Sequence, residues 1–244
     1  MSSTTISYFM REGQKPTVVF QSGLGDGKSV WKKVIDHMPD TISIFVYDRP
    51  GYGDSPNTSD PRDPCTISHE LHSLLNAVRI PPPYVLVGHS LGGLDIFCYA
   101  QIFPKEVAGL VLLDPTHPSH WMRMKNDAPA QAALIKSLRL IAFTKAMRQE
   151  FDDQEGCLDK LDMVNPLAIP TSFLFSGQFK LEEKGPFEQM VRDLRKQWLL
   201  FFTNAQSAEI SDSGHYLQQD APDTVVHAIQ GIIEVRERSN TIVR

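Results

Sequence analysis

Apolar residues gather in short runs at 17–20, 42–47, 84–87, 110–113, 172–175 and 207–210. Runs of that length predict strands, and their near-continuous apolar character places them inside a covered sheet. Between them the period changes: Ile67, Leu71, Leu74, Leu75 and Val78 fall on one helix face, as do Val30, Val34 and Ile35. Strands alternating with helices predict an α/β fold with a mostly parallel central sheet and helices on both faces. The opening run 6–10 alternates less clearly, and Glu12-Gly13-Gln14-Lys15-Pro16 supplies a turn after it, so a short antiparallel edge strand is predicted there. Pro81-Pro82-Pro83 ends a helix and leads as an extended connector into run 84–87.

The rhythm breaks between residues 115 and 170. A long helix is predicted over 130–151, with Leu134, Leu138, Ile141 and Phe151 facing one way and Ile135, Leu140 and Phe143 widening the apolar share. This segment reads as a helical lid over a pocket at the strand ends, inserted into a core made of 1–114 and 171–244. Asp152, Asp153, Glu155, Asp159 and Asp162 read as a solvated face.

The chain of 244 residues is long enough for one large domain. A formal net charge of −5 and the lack of a clustered basic run argue against a nucleic-acid partner. Three cysteines, Cys65, Cys98 and Cys157, share no metal-ligand or redox spacing and read as reduced thiols. With no secretory leader pattern and no apolar stretch of spanning length, they predict a soluble, cytoplasmic protein; the oligomeric state stays unknown.

Candidate chemistry enters at Gly88-His89-Ser90-Leu91-Gly92, where run 84–87 gives way to a helix. A serine on such a sharp strand-to-helix turn is held in strained backbone angles with its hydroxyl exposed, and flanking glycines let strand and helix approach. Ser90 is therefore the candidate nucleophile. A serine hydroxyl needs a base. His215 ends the small-residue loop Ser211-Asp212-Ser213-Gly214-His215 after the last strand-like run, whereas His37, His69, His72 and His227 lie in helical patterns and His89 fills the variable position of the turn.

With Ser22-Gly23-Leu24-Gly25, Tyr47 to Ser55 and Asp212-Ser213-Gly214-His215, the Gly88 to Gly93 turn completes four motifs by which the chain resembles the α/β-hydrolase superfamily, specifically its small lidded serine hydrolases. The resemblance covers nearly the whole length. It places the lid after the sixth strand of the family's sheet and implies an oxyanion hole built from the Leu24 and Leu91 backbone amides, with Gly23 and Gly25 turning the loop beside the nucleophile. Ser22 stands where the family usually has histidine. Asp48 and Arg49 read as structural. The family commonly carries its acid after the strand that here is 172–175, yet Ser176-Gly177-Gln178-Phe179-Lys180-Leu181 contains no carboxylate. Two alternatives stand: Asp114, after the preceding strand, and the Glu182 and Glu183 pair. Asp114 is preferred because a strand end orients an imidazole better than a loose loop.

Asp114, His117 and His120 at three-residue intervals raise a metal-binding alternative, which Pro115 and Pro118 disfavour by breaking the helix that would align them. His117, His120, Trp121 and Met122 are instead expected to begin the lid and line the pocket mouth, near Met124 and Phe143, with Gly23 also in the substrate pocket. The resemblance thus implies hydrolysis of a carboxylic ester of a small to medium, partly apolar molecule, with no metal and no cofactor. The alternatives are amide, thioester or lactone cleavage, a lyase, or a ligand-binding receptor on the same scaffold.

Overall fold

Seven strands form one sheet in the computed structural model, which describes residues 5–242. Elements follow in the order β1 (Tyr8–Arg11), β2 (Gln14–Gln21), α1 (Lys32–His37), β3 (Ile42–Tyr47), α2 (Pro64–Ala77), β4 (Tyr84–His89), α3 (Leu91–Ile102) and β5 (Val107–Leu113). Then come α4 (His120–Asp127), α5 (Pro129–Ile141), α6 (Lys145–Asp153), β6 (Thr171–Ser176), α7 (Pro186–Leu200), β7 (Ala205–Ile210), α8 (Leu217–Asp220) and α9 (Pro222–Ile242). The strand order is β1-β3-β2-β4-β5-β6-β7, with β1 antiparallel to β3 and the other neighbours parallel. Each predicted run lies in a strand, and the opening segment forms the antiparallel edge. Residues 1–4 of the N-terminal segment, read for a leader, lie outside the described residues.

The two-residue period of a strand splits the core in two. Val18, Phe20, Val85, Val87, Val111 and Leu113 pack on Trp31 and Val34 at α1 and on Val225 and Ile229 of α9. Their alternates Val19, Leu86, Leu110 and Leu112 pack on Leu71 and Leu75 of α2, Leu94 and Phe97 of α3 and Trp198 of α7. Both faces are covered, which is why β4 is buried throughout.

Two expectations change. The predicted 130–151 helix is two helices, α5 and α6, because Thr144 takes an N-cap geometry: its hydroxyl accepts from Met147 N at 3.3 Å and restarts the helix. Cys65 and Cys157, 92 residues apart, form a disulfide, and only Cys98 is a free, buried thiol. Cys65 opens α2 and Cys157 follows α6, so the fold brings together what the sequence keeps apart; the cysteine argument for a reducing, cytoplasmic setting falls with it. The helical segment lies between β5 and β6. Among the described residues no helix is long and apolar enough to cross a membrane.

Candidate active site

Ser90 lies between β4 and α3 with φ 53° and ψ −122°, a backbone region costly for a residue with a side chain. The turn is held from both sides. Ser90 N donates to Leu113 O at 3.0 Å, and Ser90 O accepts from Gly93 N and Thr116 N, each at 2.9 Å. A Cβ on Gly88 would sit 2.6 Å from Gly92 O, and one on Gly92 would run into the carbonyls of Gln21 and Ser22, so glycine is required where α3 crosses β2 and β4. Leu91, first residue of α3, carries one of the amides a helix leaves without an intrahelical partner. The loop after β2 comes alongside: a Cβ on Gly23 would lie 3.3 Å from Ser90 Cβ, and Leu24 follows it.

Asp114, also left-handed at φ 42°, continues from β5, and its amide donates to Leu174 O at 2.8 Å. His215 Nδ1 donates to Asp114 Oδ2 at 2.7 Å. Ser176 Oγ donates to the same oxygen at 2.9 Å, while Arg195 Nη2 donates to Oδ1 at 2.8 Å. Burial alone would raise the Asp114 carboxyl, but the hydrogen bond and charge of His215, with Arg195 and Ser176, hold it well below the usual carboxylate range. Burial pulls the His215 imidazole down, and the hydrogen bond and charge of Asp114, aided by Glu183 and Asp26, carry it above its ordinary 6.5. Glu183 instead accepts from Lys180 N at 2.9 Å, closing its own short turn, and Glu182 is exposed. Asp114 therefore meets His215, and the glutamates do not.

Ser90, Asp114 and His215 line one cavity of about 210 Å³. Among the described residues no hydrogen bond joins Ser90 Oγ to His215. His117 and His120 also line the cavity, but Gly23, Trp121 and Met122 do not: Trp121 packs on Phe151 at 4.8 Å between ring centres and Met122 faces solvent. A helix explains the difference, since on α4 the i and i+4 residues His120 and Met124 share the face toward the cavity, while Trp121 turns toward Phe151 of α6 and Met122 toward solvent. Burial pushes His117 down to about 3 and His120 to about 4, so both are neutral near pH 7. Ser119 N donates to His117 Nδ1 at 3.0 Å, which leaves its proton on Nε2. The ligand atoms of Asp114, His117 and His120 do not converge; among the described residues the one such grouping is Asp63, Cys65 and Cys157, whose sulfurs are bonded to each other.

Two features escaped the sequence reading. His89 Nε2 donates to the His215 carbonyl at 2.9 Å, tying the elbow to the histidine loop, and burial with the nearby His215 pushes its pKa to about 3. Arg49 is fully enclosed and more than a turn residue. It donates to Ser22 O at 2.5 Å, to Gly23 O at 2.9 Å and to both oxygens of Glu150, on α6, at 3.0 and 2.8 Å. Tyr52 and Arg62 also donate to Glu150, at 2.8 and 3.1 Å. No motif signals this, because Glu150 is one charge among several on an amphipathic helix.

A crossing-over parallel sheet with a strained serine at its strand-to-helix bend, faced by a histidine and carboxylate from later loops, defines the α/β-hydrolase class of architecture. The chain belongs to that family, since the profile of the alpha/beta hydrolase fold matches residues 16–137, half of its length. A Bacillus subtilis relative, the uncharacterized protein YqjL, is 29% identical over 230 residues, covering 88% of this chain and 83% of that one. The human (lyso)-N-acylphosphatidylethanolamine lipase is 28% identical over 114 residues, covering 46% of this chain and 33% of its own length. A thermophilic esterase from Thermogutta terrifontis superposes with a TM-score of 0.68 at 19% identity, covering 95% of this chain and 93% of that one.

Proposed function

We propose that the protein is a serine hydrolase cleaving a carboxylic ester of a small to medium, partly apolar molecule. The observation that carries this reading is the 2.7 Å hydrogen bond from His215 to Asp114 in the wall of the cavity that Ser90 also lines. Relatives named as lipase and esterase add support. His215 Nε2 takes the Ser90 proton as Oγ bonds to the ester carbon, and the Leu24 and Leu91 amides receive the oxyanion. The imidazolium, held by Asp114, then protonates the departing alkoxide as the carbon–oxygen bond breaks. Water repeats the sequence on the acyl-enzyme, giving up its proton to His215 and releasing the acid with Ser90 restored. Such contacts tighten once substrate fills the gap between nucleophile and base. Residues 115–170 act as the cap, supplying His117, His120, Met124 and Ile135 to the cavity wall.

A fluorophosphonate probe should add covalently to Ser90 of the native protein, read by intact mass and peptide mapping, and leave Ser90→Ala unmodified. A native protein that resists the probe and turns over no 4-nitrophenyl ester of any chain length, yet is stabilised by small ligands, is a binding module.

The pH profile supplies a second check. Only neutral His215 can accept a proton, and its pKa is raised. The acid limb of kcat/KM should therefore have its midpoint above pH 6.5, with activity full on the alkaline side and lost as pH falls through that midpoint. A midpoint below the ordinary imidazole value contradicts the assigned base.

A further inference from the structure

Arg195 projects from α7 into the same cavity wall and is 7% exposed. Its guanidinium lies 5.1 Å from the ring centres of both Phe175 and Phe179. From there Nη2 donates to Asp114 Oδ1 at 2.8 Å and to Ser176 Oγ at 2.7 Å, and the Ser176 hydroxyl passes its own hydrogen to Asp114 Oδ2 at 2.9 Å. One carboxylate oxygen is thus held by a cation, and the other faces both Ser176 and His215. Guanidinium is charged at every working pH. Its outer edge meets Glu209 Oε2 at 3.5 Å, a carboxylate that also accepts from Arg192 at 2.9 Å.

We infer that Arg195 is a positioning residue for hydrolysis: it fixes the Asp114 carboxylate from behind and, as a cation on its far oxygen, trims the basicity that Asp114 confers on His215. The inference rests on the serine-hydrolase reading of Ser90, His215 and Asp114. It also accounts for an acid at the end of β5. Ser176 occupies the end of β6, where the family's acid commonly stands, and with Arg195 it aims the relocated carboxylate at the histidine.

A carboxylate against an imidazole stabilises the imidazolium, and a cation on that carboxylate opposes it. The groups around His215 are Asp114 from β5, Glu183 from the turn after β6, Asp26 from the loop after β2, His89 from β4, His120 from α4 and the adjoining Tyr216. His89 and His120 are neutral near pH 7 and the three carboxyl groups favour the proton. Arg195, through Asp114, is the permanent cation working against it.

The test compares the native protein with Arg195→Met, Arg195→Lys and Glu209→Gln. The readouts are kcat, KM and the acid limb of kcat/KM, together with the His215 ring titration followed by NMR. Arg195→Met should move the His215 midpoint up by about half a pH unit or more and lower kcat with little change in KM. Arg195→Lys keeps the charge and should restore most of the native midpoint. Glu209→Gln frees Arg195 from an opposing charge and should move the midpoint the other way, by less. Coincident native and Met profiles, or equal shifts in the Met and Lys variants, overturn the inference. If the Met variant does not fold, Glu209→Gln decides by sign, since that side chain is 47% exposed and its loss leaves the core intact. An upward or absent shift there also overturns it. Because the NMR titration needs no turnover, it separates this outcome from failure of the hydrolase reading, which the fluorophosphonate reaction reports.

Discussion

Replacing Asp114 by asparagine should lower kcat by about 10⁴-fold while the fold survives, the scale set by loss of the orienting carboxylate in other serine triads. The asparagine carbonyl can still accept from Arg195, which turns its amide toward His215. That amide donates, so Nδ1 must present a lone pair and the imidazole proton moves to Nε2, the nitrogen that has to receive the Ser90 proton. The base is then blocked by its own tautomer. Binding of substrate is little affected, so KM should stay within the native range, and circular dichroism should be unchanged. Glu183→Gln is the matched control: that carboxylate accepts from Lys180 N rather than from His215, and kcat should remain near native. A larger loss from the glutamate change than from the aspartate change would transfer the orienting role.

The contrast between these carboxylates marks where sequence reasoning stops. The Ser90 turn was legible because its constraint is local: glycines on either side and a strand-to-helix junction suffice to specify it. The strands were legible because full burial on two faces forces continuous apolar runs. Asp114 was one of two open choices, since reach to an imidazole 101 residues away depends on where β5 ends relative to the His215 loop. Arg49 with Glu150, and Cys65 with Cys157, are likewise contacts between distant elements that leave no periodic trace. The helix break at Thr144 was readable in principle as an N-cap signal, but the apolar pattern of 130–151 masked it. Trp121 and Met122 failed as pocket residues for a simpler reason. Their chemistry suits a pocket, but position on α4 decides which side chains face inward, and the exact start of a helix sets that phase.

Removing Glu150 should be among the costliest single changes for stability. Its carboxylate is fully buried and accepts from Arg49, Arg62 and Tyr52. Glu150→Ala leaves the enclosed Arg49 guanidinium without the carboxylate it is hydrogen-bonded to, and Arg62 with Glu70 as its ion-pair partner. Breaking a buried pair from one side costs about 3–5 kcal/mol, because the stranded cation has lost both water and partner. Tyr52→Phe removes one hydrogen bond to the same carboxylate and should cost about 1–3 kcal/mol. Denaturant unfolding at neutral pH compares the two, and equal losses would mean the charge is screened or relaxed away. The pH dependence fixes the cause. Burial alone would raise the Glu150 carboxyl, but the Arg49 charge and hydrogen bonds, with Arg62, hold it below its ordinary 4.5. A depressed folded value contributes stability that is present above pH 4.5 and lost as pH falls through the lower folded value. The gap between native and Glu150→Ala should therefore be widest near neutral pH and close only in acid below 4.5. Activity should fall along with stability, since Arg49 also grips the Ser22 and Gly23 carbonyls, and a loosened guanidinium frees the loop that carries the Leu24 amide.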